Sequence, residues 1–329
     1  MIASVAFRNF KALRGTSLAL TPFNLVIGPN GSGKTTLIQA LLRLRSLSKL
    51  PPADGIPPVK SKSGPAIAFR FSPPHDAIEV RLGCSSDLVC DVLQVVPPEA
   101  PGWPALRTNL GTIRSYLLDH TAMAESAMLQ TGTELSPSGG NLAAVLAHMR
   151  THVPADFTAL VAELVRILPE FTALELKEGE NGAVGLSLRL VDAESVSAEN
   201  LSQGALYLLA MLTLAFDPAP PSVLCLEEID RGIHPRMLRE VRDTLYRLSH
   251  PQAFGLSRAP VQIIATTHSP YLLDLFREHP EEVVIMQKHG NAARFERLSD
   301  RADLVELLRE GSLGDMWFSG ILGGVTEEQ

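Results

Sequence analysis

The sequence that decides the fold is Leu25-Val-Ile-Gly-Pro-Asn-Gly-Ser-Gly-Lys-Thr-Thr-Leu37. Its apolar start, 25–27, predicts a buried strand, and the glycine-rich stretch 28–33 predicts a turn. Lys34 then opens a run with leucines at helical spacing. The pattern Gly-x-x-x-x-Gly-Lys-Thr between a strand and a helix predicts a loop that binds the phosphates of a nucleoside triphosphate. An ordinary glycine turn before a helix is the alternative, but it would not require lysine and threonine in this register.

The residue types of this loop match the chemistry of phosphate binding. Glycines let successive backbone N–H groups curl around a phosphate without a Cβ in the way, and the following helix directs its positive end at the same anion. We expect Lys34 to reach the β- and γ-phosphates and the Thr35 hydroxyl to bind Mg²⁺. The residues of this loop predicted to bind the nucleotide are Asn30, Gly31, Ser32, Gly33, Lys34, Thr35 and Thr36.

Composition favours a globular protein without a strong basic field. The chain has 329 residues, of which 45% are hydrophobic and 20% charged, and its net charge is −7. This predicts one large domain or two modest ones. The acidic balance argues against general binding to nucleic acid or membranes, although a local basic patch is compatible with it. Because no apolar run is as long as a membrane span and no signal peptide opens the chain, we expect a cytoplasmic protein.

The cysteines do not indicate a metal site. Cys84, Cys90 and Cys225 lack metal-ligand spacing, and Cys225 lies in an apolar strand. A buried thiol in a reducing compartment is the expected state.

The N-terminal part of the chain predicts strands. Residues 2–10 and 16–27 predict a β-ribbon that leads into the phosphate loop. Phe7 and Phe10 suit the core better than a nucleotide base, although base stacking by Phe-Arg-Asn-Phe is the alternative. The prolines of 46–65 predict a mobile loop. Short strand-like runs then predict an antiparallel subsheet, and they are 66–71, 77–82 and 87–96.

Helical patterns and then alternating ones follow. Residues 105–180 predict an inserted helical lobe that contains helices at 141–150 and 156–168, with a hairpin around Asn181-Gly182 at its end. From Leu201 onward, helices alternate with apolar strands, which predicts a parallel α/β sheet covered on both faces. The predicted lobes are 1–104 with the phosphate loop and subsheet, 105–200 with the helical insert, and 201–329 as the C-terminal lobe.

Two adjacent carboxylates and one histidine follow apolar strands. Glu227 and Glu228 close the strand 222–226, and His268 ends the strand 261–268. Since successive strand side chains point opposite ways, we expect one carboxylate to face Mg²⁺ and the other a water at the γ-phosphate. Ligands gather at the carboxyl ends of parallel strands, so His268 is predicted to hydrogen-bond the γ-phosphate. A structural histidine is the alternative.

The stretch Leu201-Ser-Gln-Gly-Ala205 predicts a second anion site. Ser202 stands at the start of an apolar helix and Gly204 follows it. Because the phosphate loop already holds a nucleotide in the same subunit, a second site is useful if it contacts the nucleotide of another subunit. Alternatively, Ser202 is only a helix cap.

In this order, the motifs resemble those of ABC-class ATPases, and among them the RecF/SMC/OLD-like group. Further stretches resemble the short OLD-type "AAA family ATPase" proteins. They are Phe7-Arg-Asn-Phe-Lys11, Gly140-Asn-Leu-Ala-Ala-Val-Leu146, Glu227-Glu-Ile-Asp-Arg-Gly-Ile-His-Pro235 and Gly311-Ser-Leu-Gly-Asp-Met-Trp-Phe-Ser-Gly320. The resemblance covers nearly the whole chain and implies an α/β fold, a P-loop ABC-type ATPase head with an N-terminal antiparallel β subsheet and an inserted helical lobe.

The resemblance also implies roles for particular residues. Glu227 would belong to the Mg²⁺ shell, and Glu228 would be the base that polarises water; Lys34 and His268 complete the predicted catalytic set. Ser202, Gln203 and Gly204 would act on the ATP of a partner in a head-to-tail ATP-sandwich homodimer.

The sequence departs from the family pattern in two places. The wider class usually has aspartate where this chain has Glu227, and the longer side chain alters the expected metal geometry. The glutamine of the Q-loop is not placed, and Gln94 and Gln130 are its candidates. The residues after His268 are too few for the Toprim nuclease domain that OLD nucleases carry, so we expect any effector to be a separate protein.

The function that this predicts is an ATP-dependent switch in DNA repair or in prophage or anti-phage defence, working with that effector. The alternatives are the nucleotide-binding subunit of a membrane transporter and a low-turnover, ATP-gated scaffold. Direct DNA binding through the arginines of 236–247 is less favoured than a salt-bridged, solvated helix face, because Glu240 and Asp243 interleave with them.

Overall fold

The structure is a computed structural model, and it describes residues 1–50, 64–86, 88–131, 134–179 and 181–323. The described strands are β1 (Ile2–Arg8), β2 (Thr16–Ala19), β3 (Phe23–Ile27), β4 (Ala66–Phe71), β5 (Glu79–Cys84), β6 (Cys90–Val96), β7 (Arg114–Tyr116), β8 (Ala127–Met128), β9 (Phe171–Glu178), β10 (Ala183–Leu190), β11 (Ser195–Ser197), β12 (Val223–Leu226), β13 (Gln262–Thr267), β14 (Val283–His289) and β15 (Ala292–Arg297). The described α-helices are α1 (Lys34–Lys49), α2 (Trp103–Gly111), α3 (His120–Ala124), α4 (Leu142–His152), α5 (Pro154–Ile167), α6 (Gln203–Ala215), α7 (Leu238–Ser249), α8 (Pro270–Asp274), α9 (Leu304–Glu310) and α10 (Leu313–Phe318).

The chain divides into two compact units. The first contains Met1–Ser115, Pro221–Ile229 and the chain from Ala259 onward. The second contains Tyr116–Pro220 and Asp230–Arg258. The three lobes predicted from the sequence, with boundaries at 104/105 and 200/201, stay a prediction.

The first unit is built on a mixed sheet in the order β15-β14-β3-β13-β12-β7. Strands β12, β13 and β14 pair in parallel with their neighbours around β3, while β15 runs antiparallel to β14. Every residue of β3, β12 and β13 is buried, as expected for parallel strands covered on both faces. Parallel pairing brings the carboxyl ends of these strands to one edge of the sheet, where the phosphate loop begins.

The N-terminal subsheet is antiparallel, in the order β2-β1-β4-β5-β6, and this prediction is confirmed. The single strand predicted over 16–27 is wrong, because the chain breaks into β2 and β3, which belong to different sheets. At the break, Pro22 lacks a backbone N–H, and the side chain of Asn24 accepts a hydrogen bond from the Thr21 N–H at 3.1 Å. Phe7 and Phe10 are 3% and 1% exposed, so they are core residues, as favoured over base stacking.

The cysteines differ from the expectation in part. Cys84 and Cys90 are joined as a disulfide at the ends of β5 and β6. Cys225 is the buried free thiol that was expected. Spacing alone did not indicate the pair, since it depends on the register of β5 against β6.

The second unit contains a sheet in addition to helices. Strands β9 and β10 form the hairpin predicted around Asn181-Gly182, and β8 and β11 flank β10. These two short strands have no strong sequence pattern and were not predicted. Helix α6 is buried over nearly its whole length, in agreement with its apolar sequence.

The predicted loop 46–65 lies mostly outside the described residues, and α1 continues to Lys49. Within the described ranges, no helix combines the length and apolar character that crossing a membrane requires.

Candidate functional site

The loop between β3 and α1 has a backbone that only glycine adopts readily at two positions. Gly31 has φ +70° and Gly33 has φ +100°, in the left-handed region that side chains disfavour. At Gly28 the restriction is space, because a Cβ there would lie 2.5 Å from the Cβ of Met286 and 2.7 Å from the Ser32 Oγ. The loop is therefore curled tightly against Met286 of β14.

Lys34 lies at the start of α1 with its ammonium turned into the loop. Its Nζ donates to the carbonyl oxygens of Gly28 at 2.8 Å and Pro29 at 3.0 Å. Burial lowers the pKa of Lys34 to about 8, and the carboxylate of Glu228 acts in the opposite direction. A partly desolvated cation thus stands at the phosphate loop, close enough to Glu228 to be influenced by its charge.

Ser32 adds a buried polar group to the same loop. The residue is fully buried, and its Oγ has no hydrogen-bond partner among the described residues. Since buried hydroxyls are normally paired, this atom suits a bound polar ligand. Together with the glycine geometry and the Lys34 cation, it shows that the loop is chemically suited to a polyphosphate.

Thr35 and Glu227 bring two oxygen ligands together from separate elements. The Thr35 Oγ1 at the start of α1 donates to the Glu227 Oε2, just beyond β12, at 2.9 Å. Hydroxyl and carboxylate oxygens suit Mg²⁺, which is commonly held by one or two such groups plus phosphate oxygens and water. These residues would hold the Mg²⁺ that accompanies a bound nucleotide.

Glu228 does not continue the strand. It has φ +51°, its N–H donates to the Thr266 Oγ1 at 3.0 Å, and the Ile229 N–H donates to the Thr266 carbonyl at 3.1 Å. The prediction that strand alternation separates the two carboxylates is therefore wrong. Strand β12 ends at Leu226, and the turn that carries Glu228 is held by hydrogen bonds to β13.

His268 follows β13 directly and is exposed. The residues around it are ordered by two hydroxyls: the Thr267 Oγ1 accepts from the Ser269 N–H at 2.9 Å, and the Ser269 Oγ accepts from the Leu272 N–H at 3.3 Å. His268 thus stands at the same sheet edge as Glu227 and Glu228, as the strand pattern predicted.

The signature segment, 201–204, belongs to the second unit. Ser202 caps α6, its Oγ accepting from the Ala205 N–H at 3.2 Å. Ser202 and Gln203 are exposed and Gly204 is buried. The capping role offered as the alternative is realised, and the exposed residues at this helix end are Ser202 and Gln203.

Sequence reasoning missed Thr266 and Met286. Thr266 holds the turn at Glu228, and its signal was the pair of threonines at the end of an otherwise apolar strand. The Cβ of Met286 leaves no room for a side chain at Gly28. No sequence pattern indicates this contact, because it depends on which strand lies beside the phosphate loop.

Other predicted positions lie elsewhere. The two candidates for the Q-loop glutamine lie in different elements: Gln94 is in β6 and Gln130 is in a 3₁₀ turn over Leu129–Thr131. The Q-loop assignment stays a prediction. Two of the arginines in 236–247 agree with the salt-bridged interpretation: Arg242 pairs with Asp243 at 2.6 Å and Arg247 with Glu163 at 3.5 Å.

Two segments of the chain match models of ATPase domain families. Residues 1–80 match "AAA ATPase domain" and residues 156–274 match "AAA domain, putative AbiEii toxin, Type IV TA system". The first includes the phosphate loop, and the second includes the signature segment, the paired glutamates and His268. No curated protein sequence matches the chain.

The fold is similar to that of SMC head domains. An SMC head bound to the C-terminal winged-helix domain of ScpA has a TM-score of 0.61 and 15% identity, covering 90% of this chain and 96% of that one. An SMC head with an extended coiled coil, bound to the C-terminal domain of ScpA and derived from Pyrococcus furiosus, has a TM-score of 0.58 and 13% identity, covering 94% and 99%. The SMC head domain from Thermotoga maritima has a TM-score of 0.50 and 13% identity, covering 90% and 98%.

The chain therefore has the α/β fold of a P-loop, ABC-type ATPase head. The two family-model matches indicate an ATPase domain, and the likeness to SMC heads concerns the fold alone. Such ATPases generally use ATP with Mg²⁺, the ligands to which the phosphate loop and the Thr35–Glu227 pair are suited.

Proposed function

We propose that this chain is an ATP-binding and ATP-hydrolysing molecular switch that works as an ATP-sandwich dimer. The single observation that carries the proposal is the 2.9 Å bond between the Thr35 Oγ1 and the Glu227 Oε2 beside the curled phosphate loop. It joins the end of β12 to the start of α1 at the point where a triphosphate and its Mg²⁺ would be held. The pair is exposed, so a ligand can reach both oxygens.

Different residues of one subunit would bind the triphosphate, hold Mg²⁺ and act on the attacking water. Asn30 to Thr36 bind the triphosphate, and Thr35 and Glu227 hold Mg²⁺, which supplies charge neutralisation at the phosphate oxygens when bound. Lys34 leaves the carbonyls of Gly28 and Pro29 for the β- and γ-phosphates. Glu228 orients a water and accepts its proton, and His268 hydrogen-bonds the γ-phosphate.

A second subunit would complete the site. Ser202, Gln203 and Gly204 at the N-terminus of α6 contact the γ-phosphate bound by the partner, where the helix end favours negative charge. The exposure of Ser202 and Gln203 supports this role. Closure of the homodimer would then depend on the γ-phosphate, and hydrolysis would open it.

The biological setting we propose is cytoplasmic DNA repair or prophage or anti-phage defence, as in the RecF/SMC/OLD-like group. The support is the motif resemblance, the toxin–antitoxin wording of one matching family model and the likeness to SMC heads. Those heads are bound to ScpA in two of the similar structures, which supports a separate effector protein as a partner here. DNA is proposed as the signal that such an effector or the dimer recognises.

The test measures steady-state ATP turnover and oligomeric mass together, for wild type and Glu228→Gln, with and without duplex DNA. We expect Glu228→Gln to lose turnover by at least about a hundredfold and to accumulate as an ATP-bound dimer. Glu99→Gln, an exposed glutamate outside the site, is the matched control and should behave as wild type. Unchanged turnover in Glu228→Gln would refute the assignment of the base, and stimulation by DNA would support the proposed signal.

A low-turnover, ATP-gated scaffold is the second candidate, because Glu227 is longer than the aspartate common at this position and already reaches Thr35. Wild-type ATP binding and dimerisation with negligible turnover, restored by Glu227→Asp, would favour it over the switch.

A further inference from the structure

The exposed signature residue Gln203 has a partner within the second unit. Its Nε2 lies 3.2 Å from the Nε2 of His120, the first residue of α3. Because an amide nitrogen only donates, His120 Nε2 acts as the acceptor in this arrangement. One amide proton of Gln203 is used by this bond, and the second remains to be donated elsewhere.

His120 is held in place by the residues before it. Asp119 caps α3, its Oδ1 accepting from the Ala122 N–H at 2.9 Å, and its own N–H donates to the Ser138 carbonyl at 2.9 Å. One residue earlier, the Leu118 carbonyl accepts from the buried Tyr207 hydroxyl of α6 at 2.8 Å. Two hydrogen bonds thus attach the segment 118–120 to α6. Only the one between His120 and Gln203 involves the signature segment.

Gly232 confines Gln203 from another direction. This glycine has φ +68°, and a Cβ at that position would lie 2.8 Å from the Gln203 Oε1 and 3.1 Å from its Cβ. The Gln203 side chain therefore packs directly against the backbone of the turn after the paired glutamates. A glycine is required at 232 for this approach as well as for the backbone conformation.

We infer that His120 is a positioning residue for the signature segment: it fixes the Gln203 amide so that its remaining N–H is directed to the phosphates of the ATP held by the partner subunit. The inference rests on the proposed sandwich dimer and adds to it a contact from the 118–120 segment. A glutamine that is already ordered loses less conformational freedom when the dimer closes.

The experiment separates nucleotide binding from dimer closure, using the full chain in the Glu228→Gln background. A ribose-labelled fluorescent ATP, titrated against protein dilute enough to stay monomeric, measures binding at the phosphate loop. Sedimentation velocity with saturating Mg²⁺-ATP measures the dissociation constant of the dimer. The variants are His120→Leu, which cannot accept a hydrogen bond, and His120→Gln, whose amide oxygen can.

We expect His120→Leu to leave nucleotide binding within about twofold of the parent and to weaken the dimer at least about tenfold, which corresponds to about 1.4 kcal/mol. His120→Gln should restore the dimer constant to within about threefold. A general loss of structure would weaken nucleotide binding as well as the dimer, and His120→Gln would not restore the dimer constant.

Two further variants keep the inference testable if His120→Leu does not fold. Gly232→Ala displaces Gln203 while leaving His120 intact, but it also strains the turn, because Gly232 has φ +68°. We therefore expect a weakened dimer together with nucleotide binding at the parental level, which general damage to the turn would not give. Tyr207→Phe removes the neighbouring bond to Leu118 without touching Gln203 and should leave the dimer constant at the parental value.

Dimers of parental strength in both His120→Leu and Gly232→Ala would overturn the inference and leave the sandwich intact. A parent that binds ATP but forms no dimer would overturn the sandwich and the inference with it. A dimer weakened equally by Tyr207→Phe would show that the whole segment, not the Gln203 contact, is responsible, and would also overturn the inference.

Discussion

ATP binding by this chain should weaken above pH 8, because the cation on which it depends is partly desolvated. Burial lowers the pKa of Lys34 from its ordinary value of 10.5 to about 8. In the free protein, Lys34 is therefore about half charged at pH 8 and about nine-tenths neutral at pH 9, whereas the phosphates of ATP stay ionised over this range. If ATP binds only to the charged lysine, the neutral amine of Lys34 must take up a proton when ATP binds.

The expected magnitude follows from the charged fraction of Lys34. At pH 9, one unit above a pKa of about 8, only about a tenth of the lysine is charged, so the affinity for ATP should be about tenfold lower than at pH 7. The folding stability of the protein should change with pH in the opposite direction and rise where the affinity for ATP falls. Since the unfolded chain retains the proton up to about pH 10.5, the stability of wild type relative to Lys34→Met should rise between pH 8 and 10.5. The pKa difference corresponds to about 3 kcal/mol, and solvent access to the ammonium reduces the expected rise to about 2 kcal/mol.

The assay is a titration with ribose-labelled ATP from pH 7 to 9.5, without Mg²⁺ so that metal hydrolysis does not interfere. Lys34→Arg is the matched control, because arginine keeps its charge throughout this range and its affinity for ATP should not follow the same slope. A flat profile for wild type, or an equal slope for Lys34→Arg, would refute the assignment of the pH dependence to Lys34.

The remaining predictions concern the metal ligands and the packing of the phosphate loop. Glu227→Gln should lower the affinity for Mg²⁺-ATP by about tenfold or more while leaving Mg²⁺-free ATP binding nearly unchanged, as measured by fluorescence titration with and without EDTA; an equal loss in both conditions would contradict a metal role. Gly28→Ala should destabilise the protein by about 2 kcal/mol in urea denaturation, because its Cβ would lie 2.5 Å from the Met286 Cβ. The matched control is Gly111→Ala at the end of α2, where the nearest atom is 3.8 Å away, and it should be neutral or stabilising by about 0.5 kcal/mol. Equal effects of the two alanines would show that close packing at Gly28 does not matter.

The phosphate loop shows how much a local pattern can determine. The strand 25–27, the glycine turn and the helix from Lys34 are all specified within a short stretch, by burial, by φ values open to glycine and by helical spacing of leucine. The hairpin at Asn181-Gly182 is another local signal that the structure follows. In both cases, neighbouring residues supply the interactions that decide the conformation.

The turn at Glu228 shows where such reasoning fails. In the sequence, two acids directly follow an apolar strand, and continuation of that strand would point their side chains in opposite directions. In the structure, Glu228 adopts φ +51°, and its backbone is bound to Thr266 on the adjacent strand. A residue far along the chain decides this conformation, and no pattern around Glu228 indicates it.

By itself, the sequence determined the phosphate loop, the positions of the acids and His268 at strand ends, and the antiparallel subsheet. Only the tertiary structure decided the strand order, the break between β2 and β3, the Thr35–Glu227 contact and the pairing of Gln203 with His120. The physical reason is the range of the interactions involved. Propensity, hydrophobic period and capping act between residues a few positions apart and can be recognised from the sequence, whereas sheet order and side-chain pairing result from burial shared by segments that are distant along the chain.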